Sequence, residues 1–176
     1  ELSYYHRGRD VSPRSLSNIM LELQRRGCHN INLVSPVHFL PAVLSALEYA
    51  VSQGLSVPLV YNSGGYESVP VLRLLEGVFD IYLPDFKYGS GETAERLSRI
   101  KDYPRRAGEA IEEMHRQVGT LATDSRGVAL KGLLVRHLVL PGDLSGSDEV
   151  MNILSTISRE ITVNIMDQYH PAHRAW

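Results

Sequence analysis

The residues with the clearest chemical potential are charged side chains that follow apolar segments directly. Asp85 and Lys87 come after the apolar run IYLP and are two positions apart. Because side chains alternate along a strand, this spacing places a carboxylate and an ammonium on one face. The pair could contact a charged ligand, or the two side chains could neutralise each other. The sequence leaves both interpretations open for this pair alone.

Comparable polar residues follow four other apolar runs. These runs lead into SPVH (35–38), NSGGYES (62–68), RHLVLPGDLSG (136–146) and DQYHPAH (167–173). In α/β proteins the loops at the carboxyl ends of the strands form the ligand site. We therefore expect the five segments to converge on one pocket. Its charged and histidine members are Asp85, Lys87, Arg136, His137, Asp167 and His170.

Each of these features also has a purely structural interpretation. The glycine pair at 64 and 65 could serve turn geometry alone. His137 lies inside an apolar run and could be a hydrogen-bonded core histidine, while His170 could lie in a surface loop. Cys28 is placed at the entry of a strand, opposite the expected pocket, so we expect a packing residue and not a nucleophile. The prediction of a pocket therefore depends on the coincidence of five segment ends.

The elements that must position these residues alternate between two periodicities. Helices are predicted from Pro13 to about Gly27 and at 41–53, 67–76, 92–100, 104–118 and 149–158, and strands at 29–34, 57–61, 78–83, 132–140 and 161–166. Continuously apolar strands that alternate with helices indicate a parallel sheet covered by helices. The sequence thus predicts one α/β domain over residues 1–176, either an open doubly wound sheet or part of a β/α barrel.

Composition narrows the class of protein. A chain of 176 residues with 43% hydrophobic residues can bury one sizeable core. The formal net charge of -2 argues against a nucleic-acid partner, and no apolar run reaches the length of a membrane span. One cysteine can form neither an internal disulfide nor a structural zinc site. We expect a cytoplasmic protein without membrane or nucleic-acid partners.

Five segments together resemble a known family. NINLVSPVHF, VPLVYNSGGYES, DIYLPDFKYG, RHLVLPG and DQYHPA, in this order and at these distances, are similar to the radical S-adenosylmethionine (SAM) proteins related to pyruvate formate-lyase activating enzyme. The resemblance extends over essentially the whole chain. It implies a partial (β/α) TIM-like barrel, with about five parallel strands remaining of the six in a radical SAM barrel.

The resemblance also identifies what this sequence lacks. In the family, the first strand leads into C-x-x-x-C-x-x-C, whose three thiolates bind a 4Fe-4S cluster. No such motif occurs here, and the first residues, ELSYYHRGRDVS, resemble the segment just beyond it. We therefore expect a chain that is truncated at its N-terminus relative to the family and that contains neither metal-binding nor catalytic residues of its own.

Roles in SAM binding follow from the resemblance position by position. Val34, Ser35 and Pro36 occupy the place of the family's Gly-Gly-Glu turn, which holds the SAM amino group, although Ser35-Pro36 departs from that pattern. Lys87 belongs to an Asp-x-Lys motif whose lysine meets the SAM carboxylate, and the last segment is expected near the adenine or ribose. The implied cofactor-binding residues are Ser35, Asn62, Ser63, Gly64, Asp85, Lys87, Arg136, His137, Gln168, Tyr169 and His170.

For the intact protein, the resemblance implies reductive cleavage of SAM to a 5'-deoxyadenosyl radical that abstracts hydrogen from a protein glycine or another substrate. SAM and a 4Fe-4S cluster are the implied cofactors. A glycyl-radical enzyme or other protein substrate and an electron donor are the implied partners, and the insertion around 90–130 is a candidate contact region. Because the cluster cysteines are absent, we expect this chain alone to be inactive.

Two alternatives remain open at this point. A lysine at a strand end of a β/α fold can form a Schiff base, so Lys87 could serve a lyase or aldolase, with Asp85 or His137 moving protons. The glycine-rich segment 62–68 instead suits a nucleoside-sized ligand. The other alternative is a non-catalytic SAM-binding domain.

Overall fold

A computed structural model describes residues 8–171. Residues 1–7 of the N-terminal segment ELSYYHRGRDVS lie outside the described residues. Residues 172 and 173, the last two of the segment 167–173, also lie outside them. The helices are α1 (Pro13–Arg25), α2 (Leu40–Ser52), α3 (Val69–Leu74), α4 (Gly91–Ser98), α5 (Tyr103–Val118) and α6 (Ser147–Ile157). The strands are β1 (Ile31–Val34), β2 (Leu59–Ser63), β3 (Ile81–Pro84), β4 (Ala122–Thr123), β5 (Ala129–Leu138) and β6 (Thr162–Met166).

The predicted alternation of strands and helices is confirmed, and with it the α/β class. Every predicted element is present within a few residues of its expected bounds, and the short strand β4 is added where the sequence predicts a loop. Strand β2 ends later than expected, so that Asn62 and Ser63 belong to the strand and not to the loop. None of the helices within residues 8–171 combines the length and the apolar character needed to cross a membrane.

One compact unit comprises the described residues up to Ile31 together with Pro36–Val57. In it, α1 packs against α2, and Met20 and Ala46 are among the buried residues. The carboxamide of Gln24 fixes the end of α2, because it donates to the carbonyl of Gly54 over 2.9 Å. Helical periodicity in the sequence thus corresponds to a packed pair of helices.

A second unit, Asn32–Ser35 and the described residues from Pro58 onward, contains the sheet. The strand order is β1-β2-β3-β5, and both β4 and β6 pair with β5. Pairs β2–β3, β3–β5 and β5–β6 are parallel, whereas β4 runs antiparallel to the first residues of β5. Apart from β4, the strands follow chain order, and the sheet does not close within the described part of the chain. That residues 1–176 form a single domain stays a prediction.

Helix α5 packs against β3 and β5 of this sheet. Ile111 and Met114 are fully buried, as their helical spacing predicts. The hydroxyl of Tyr82 donates to Gln117 Oε1 over 2.7 Å, and Gln117 Nε2 donates in turn to Glu113 Oε1 over 2.8 Å. A buried polar chain therefore joins the sheet to the carboxyl-terminal half of α5.

The carboxylate at the end of this chain is strongly stabilised in its charged form. Arg116 Nη2 donates to Glu113 Oε1 over 2.7 Å, and the Glu113 side chain is only 5% exposed. Hydrogen bonds from Arg116 and then from Gln117 lower the pKa of Glu113 from its ordinary 4.5 to about 2. Glu113 is therefore charged in the folded protein over most of the acid range.

We expect the stability of the fold to depend on Glu113 in acid. Because the pKa is lower in the folded state than in the unfolded state, the carboxylate stabilises the fold above pH 4.5, and this contribution is lost as the pH falls towards 2. Glu113→Gln should flatten the loss of stability over that range, measured as the urea midpoint against pH. Glu109→Gln, at a carboxylate that pairs with Arg105 and is 42% exposed, is the matched control. An unchanged pH profile for Glu113→Gln would contradict this assignment.

Candidate functional site

Three adjacent strands are joined at their carboxyl ends by Asn62, Asp85 and Arg136, which we call the Arg136 cluster. Arg136 Nη2 lies 2.7 Å from Asp85 Oδ1 and donates to Asn62 Oδ1 over 2.9 Å. Asn62 belongs to β2, Asp85 directly follows β3, and Arg136 lies in β5, opposite Asp85 across the sheet. Asp85 thus pairs with Arg136 and not with Lys87, so the mutual pair that the spacing allowed is not formed.

The side chain of Lys87 is exposed at the same end of the sheet. A Cβ placed on Gly64 would lie 3.7 Å from Lys87 Nζ, so the ammonium stands directly over the glycine turn that leaves β2. Among the described residues, no carboxylate forms a salt bridge with it. The ammonium is therefore available to a carboxylate or phosphate group of a ligand.

A cavity of about 430 Å³ opens beside these groups. Its volume falls in the range of about 300–1,000 Å³ that is typical of small-molecule sites. Its lining combines charged and apolar side chains, so the cavity suits a ligand that has both an ionic group and an apolar part. Its lining residues are Asp85, Phe86, Lys87, Tyr88, Arg136, Leu138, Leu140 and Met166.

Arg136 has one further feature that matters for this cavity. Its Nε is buried and has no hydrogen-bond partner among the described residues. A buried donor without an acceptor costs about 1–3 kcal/mol. The guanidinium therefore joins the strands through Nη2, while its Nε–H has no acceptor among the described residues.

The glycine turn after β2 approaches the end of β3 so closely that it cannot accept a side chain at Gly65. This residue has φ +80°, and a Cβ there would overlap the carbonyl oxygen of Asp85 and lie 3.3 Å from Tyr103 Oη. Gly64 differs, because a Cβ there would make only ordinary contact with Lys87. The two neighbouring glycines thus have different structural roles, and only the second is required by the backbone.

Ser35, after β1, occupies a backbone region that glycine favours. Its φ is +49°, which costs a non-glycine residue about 1–3 kcal/mol. Its N–H donates to the carbonyl of Asn62 over 2.7 Å. The turn after β1 is therefore tied to β2 beside the Arg136 cluster, although Ser35 itself does not line the cavity.

His137 does not reach the cavity, which differs from its expected cofactor-binding role. It is fully buried, with Nδ1 2.7 Å from the carbonyl oxygen of Phe86 and Nε2 2.9 Å from Ser147 Oγ. Because a carbonyl only accepts, Nδ1 must carry the proton. His137 joins the segment after β3 to the start of α6, so it is the hydrogen-bonded core histidine that the sequence also allowed.

The segment after β6 does not contribute to the lining of the cavity. Met166, the last residue of β6, lines the cavity, but Gln168, Tyr169 and His170 do not. Ser63 is likewise buried in β2 and absent from the lining. The structure therefore brings together the ends of β2, β3 and β5, and places the expected SAM contacts after β6 outside the cavity.

Sequence reasoning did not predict the apolar and aromatic lining residues Phe86, Tyr88, Leu138, Leu140 and Met166. It also missed Tyr103. This tyrosine is the first residue of α5, and its hydroxyl contacts the backbone at Gly64, Asp85 and Lys87. Its position before Pro104 indicates a helix start and nothing more. Only the packing of α5 against the strand ends reveals the contact.

The described residues offer no preformed metal site. Within residues 8–171, no group of three or more His, Cys, Asp or Glu side chains could hold a metal ion. The one thiol of the sequence, that of Cys28, follows α1 in the chain and is half-buried. Its position agrees with a packing role.

Comparison with known proteins gives one distant relative. The chain is 32% identical over 167 residues to the uncharacterized protein MJ0674 of Methanocaldococcus jannaschii, an alignment that covers 93% of this chain and 44% of that protein. The chain thus spans less than half the length of the curated relative that it matches. No family model matches, and no solved structure gives a significant match.

The two glycines after β2 should respond differently to the same substitution. We expect Gly65→Ala to lower the free energy of unfolding by about 3 kcal/mol or more, because positive φ and overlap with the Asp85 carbonyl combine. Gly64→Ala is the matched control and should cost about 1 kcal/mol or less, since its new methyl group meets only the end of Lys87. Urea unfolding of both variants measures the difference. Equal losses of stability in the two variants would contradict the close approach between Gly65 and the carbonyl oxygen of Asp85.

Proposed function

We propose that this chain forms the SAM-binding part of a radical SAM enzyme similar to pyruvate formate-lyase activating enzyme. The proposal depends above all on the ammonium of Lys87, which stands unpaired among the described carboxylates, over Gly64 and beside the Arg136 cluster. The strand order supports the same proposal. A doubly wound sheet reverses its order at a switch point, whereas β/α barrels keep chain order, as the strands do here apart from β4.

The cavity fits SAM in size and in polarity. Lys87 would hold the carboxylate of the methionyl group, because Asp85 is already neutralised by Arg136 and leaves the ammonium as the uncompensated charge of the lining. The apolar wall formed by Leu138, Leu140 and Met166 would contact the less polar part of the ligand and exclude water from it. When bound, SAM supplies the adenosyl and methionyl groups on which the family's reaction depends.

The turn after β1 adds support from the backbone. In the family resemblance, Ser35 stands in a Gly-Gly-Glu turn that holds the SAM amino group. The positive φ of Ser35 is a conformation that glycine adopts without strain, so the backbone at this position would also suit the glycine of that turn. Its N–H is already bonded to Asn62, so a contact with the ligand would come from another group of this turn.

The 4Fe-4S cluster does not fit the residues of this chain. Clusters of this type are held by several cysteine thiolates, and the sequence contains one cysteine, at the entry of β1. We therefore assign no step of radical chemistry to this chain. The thiolates, the glycyl-radical enzyme or other protein substrate, and the electron donor belong to the proposal for a longer protein.

The proposal predicts a specific loss of affinity when the ammonium is removed. A hydrogen bond to a charged group contributes about 1.5–3 kcal/mol, so Lys87→Met should weaken SAM binding about tenfold or more in calorimetric titration. Binding of 5'-methylthioadenosine, which lacks the carboxylate, should not change. Lys131→Met is the matched control, because Lys131 is exposed at the opposite end of β5. Equal loss for both ligands would contradict a contact between Lys87 and the carboxylate.

The same proteins distinguish the alternatives. If the chain binds no SAM but a carbonyl compound is trapped on Lys87 by borohydride, the Schiff-base lyase is favoured. That outcome is not expected, because the glycine-rich segment 62–68 beside Lys87 suits a nucleoside-sized ligand. If SAM binds and the gene encodes no C-x-x-x-C-x-x-C motif upstream, the protein is a non-catalytic SAM-binding domain.

A further inference from the structure

The hydroxyl of Tyr103 lies at the centre of three backbone groups. It accepts a hydrogen bond from the N–H of Lys87 over 2.9 Å and lies 2.9 Å from the carbonyl oxygen of Gly64 and 3.0 Å from that of Asp85. A phenol has one hydrogen to donate, so the two carbonyls share it. One side chain thus links the segment after β2 to the segment after β3.

These contacts begin where the pairing of the two strands ends. The ladder between β2 and β3 closes with the register Ser63 to Pro84 and the hydrogen bond from the N–H of Asp85 to the carbonyl of Ser63. Beyond this point, no backbone hydrogen bond joins Gly64 to Lys87 among the described residues. The two residues are connected through the hydroxyl of Tyr103. The hydroxyl thus connects the two segments beyond the last backbone hydrogen bond between β2 and β3.

The ring of Tyr103 is fixed by its surroundings. It is 3% exposed, stacks on Tyr66 with a centroid distance of 6.2 Å, and contacts the rings of Phe86 and Tyr88 edge-on. Tyr66 in turn donates to Asp102 Oδ1 over 2.9 Å. Burial raises the pKa of Tyr103 above its ordinary value, so the hydroxyl keeps its proton at neutral pH. The Tyr103 hydroxyl is therefore held in one orientation and is protonated at neutral pH.

We propose that Tyr103 is the positioning residue of the site: its hydroxyl sets the distance between the Gly64 turn and the backbone of Lys87, and so places the Lys87 ammonium over Gly64. The part of this inference that concerns ligand affinity depends on the function proposed above. The part that concerns the backbone of Lys87 does not. Helix α5 thereby contributes directly to a site that otherwise consists of strand ends.

The test compares Tyr103→Phe with Tyr82→Phe. Both variants remove one hydroxyl from a buried tyrosine, but that of Tyr82 donates to Gln117 on α5 and not to the strand ends. We expect amide hydrogen exchange at Lys87 to accelerate about tenfold in Tyr103→Phe, since its acceptor is lost, and to stay unchanged in Tyr82→Phe. Urea unfolding corrects both for any change in global stability.

Calorimetric titration with SAM completes the experiment. Tyr103→Phe should raise the dissociation constant about tenfold, while Tyr82→Phe should leave it within about twofold of the parent chain. Faster exchange at Lys87 with unchanged SAM affinity would overturn the positioning role for the ligand. Unchanged exchange at Lys87 would overturn the inference as a whole.

The outcomes separate this inference from the proposed function. If the parent chain binds no SAM, the proposed function fails, and exchange at Lys87 still decides the role of Tyr103. If Tyr103→Phe does not fold, the parent chain provides a second measurement: a nuclear Overhauser effect between the Tyr103 hydroxyl proton and the Lys87 amide. Absence of that effect, with the hydroxyl proton observed, would overturn the inference.

Discussion

The ion pair between Arg136 and Asp85 determines the character of the whole site. Both side chains are partly buried, at 28% and 25% exposure, and their 2.7 Å contact offsets part of the cost of removing two charges from water. Because Arg136 also bonds Asn62, the pair holds the ends of three strands in register. Since Asp85 is neutralised in this way, Lys87 remains the uncompensated charge of the cavity lining. In the proposed function, selectivity for an anionic group would thus follow from an ion pair that the ligand itself need not touch.

Strand alternation explains why Arg136 and His137 differ although they are neighbours. Successive side chains of a strand point to opposite faces, so only one of the two could reach the cavity. Arg136 lines the cavity, and His137 is buried on the other face, where it contacts Phe86 and Ser147. The family resemblance assigned both residues to the cofactor. The period of the strand already contained the information that separates them.

Much of the fold could be predicted from the sequence because its signals are local. Helix starts such as Ser12 before Pro13 and continuously apolar strands are visible within a few residues, and the α/β class follows from their alternation. The ends of β2, β3 and β5 converge as the rule for parallel strands requires. The segment after β6 and Tyr103 were beyond prediction for a physical reason, since their positions depend on tertiary packing between residues far apart in the sequence.

The affinity of such a site cannot come from the lysine alone. A charge-assisted hydrogen bond contributes about 1.5–3 kcal/mol, whereas micromolar binding requires about 8 kcal/mol. For the proposed ligand, the remainder would have to come from the apolar lining residues, which make good contact only if the strand ends keep their spacing. That spacing is set on one side by the Arg136 cluster and on the other by the hydroxyl of Tyr103. The role proposed for Lys87 therefore depends on two groups that need not contact the ligand, one in β5 and one in α5.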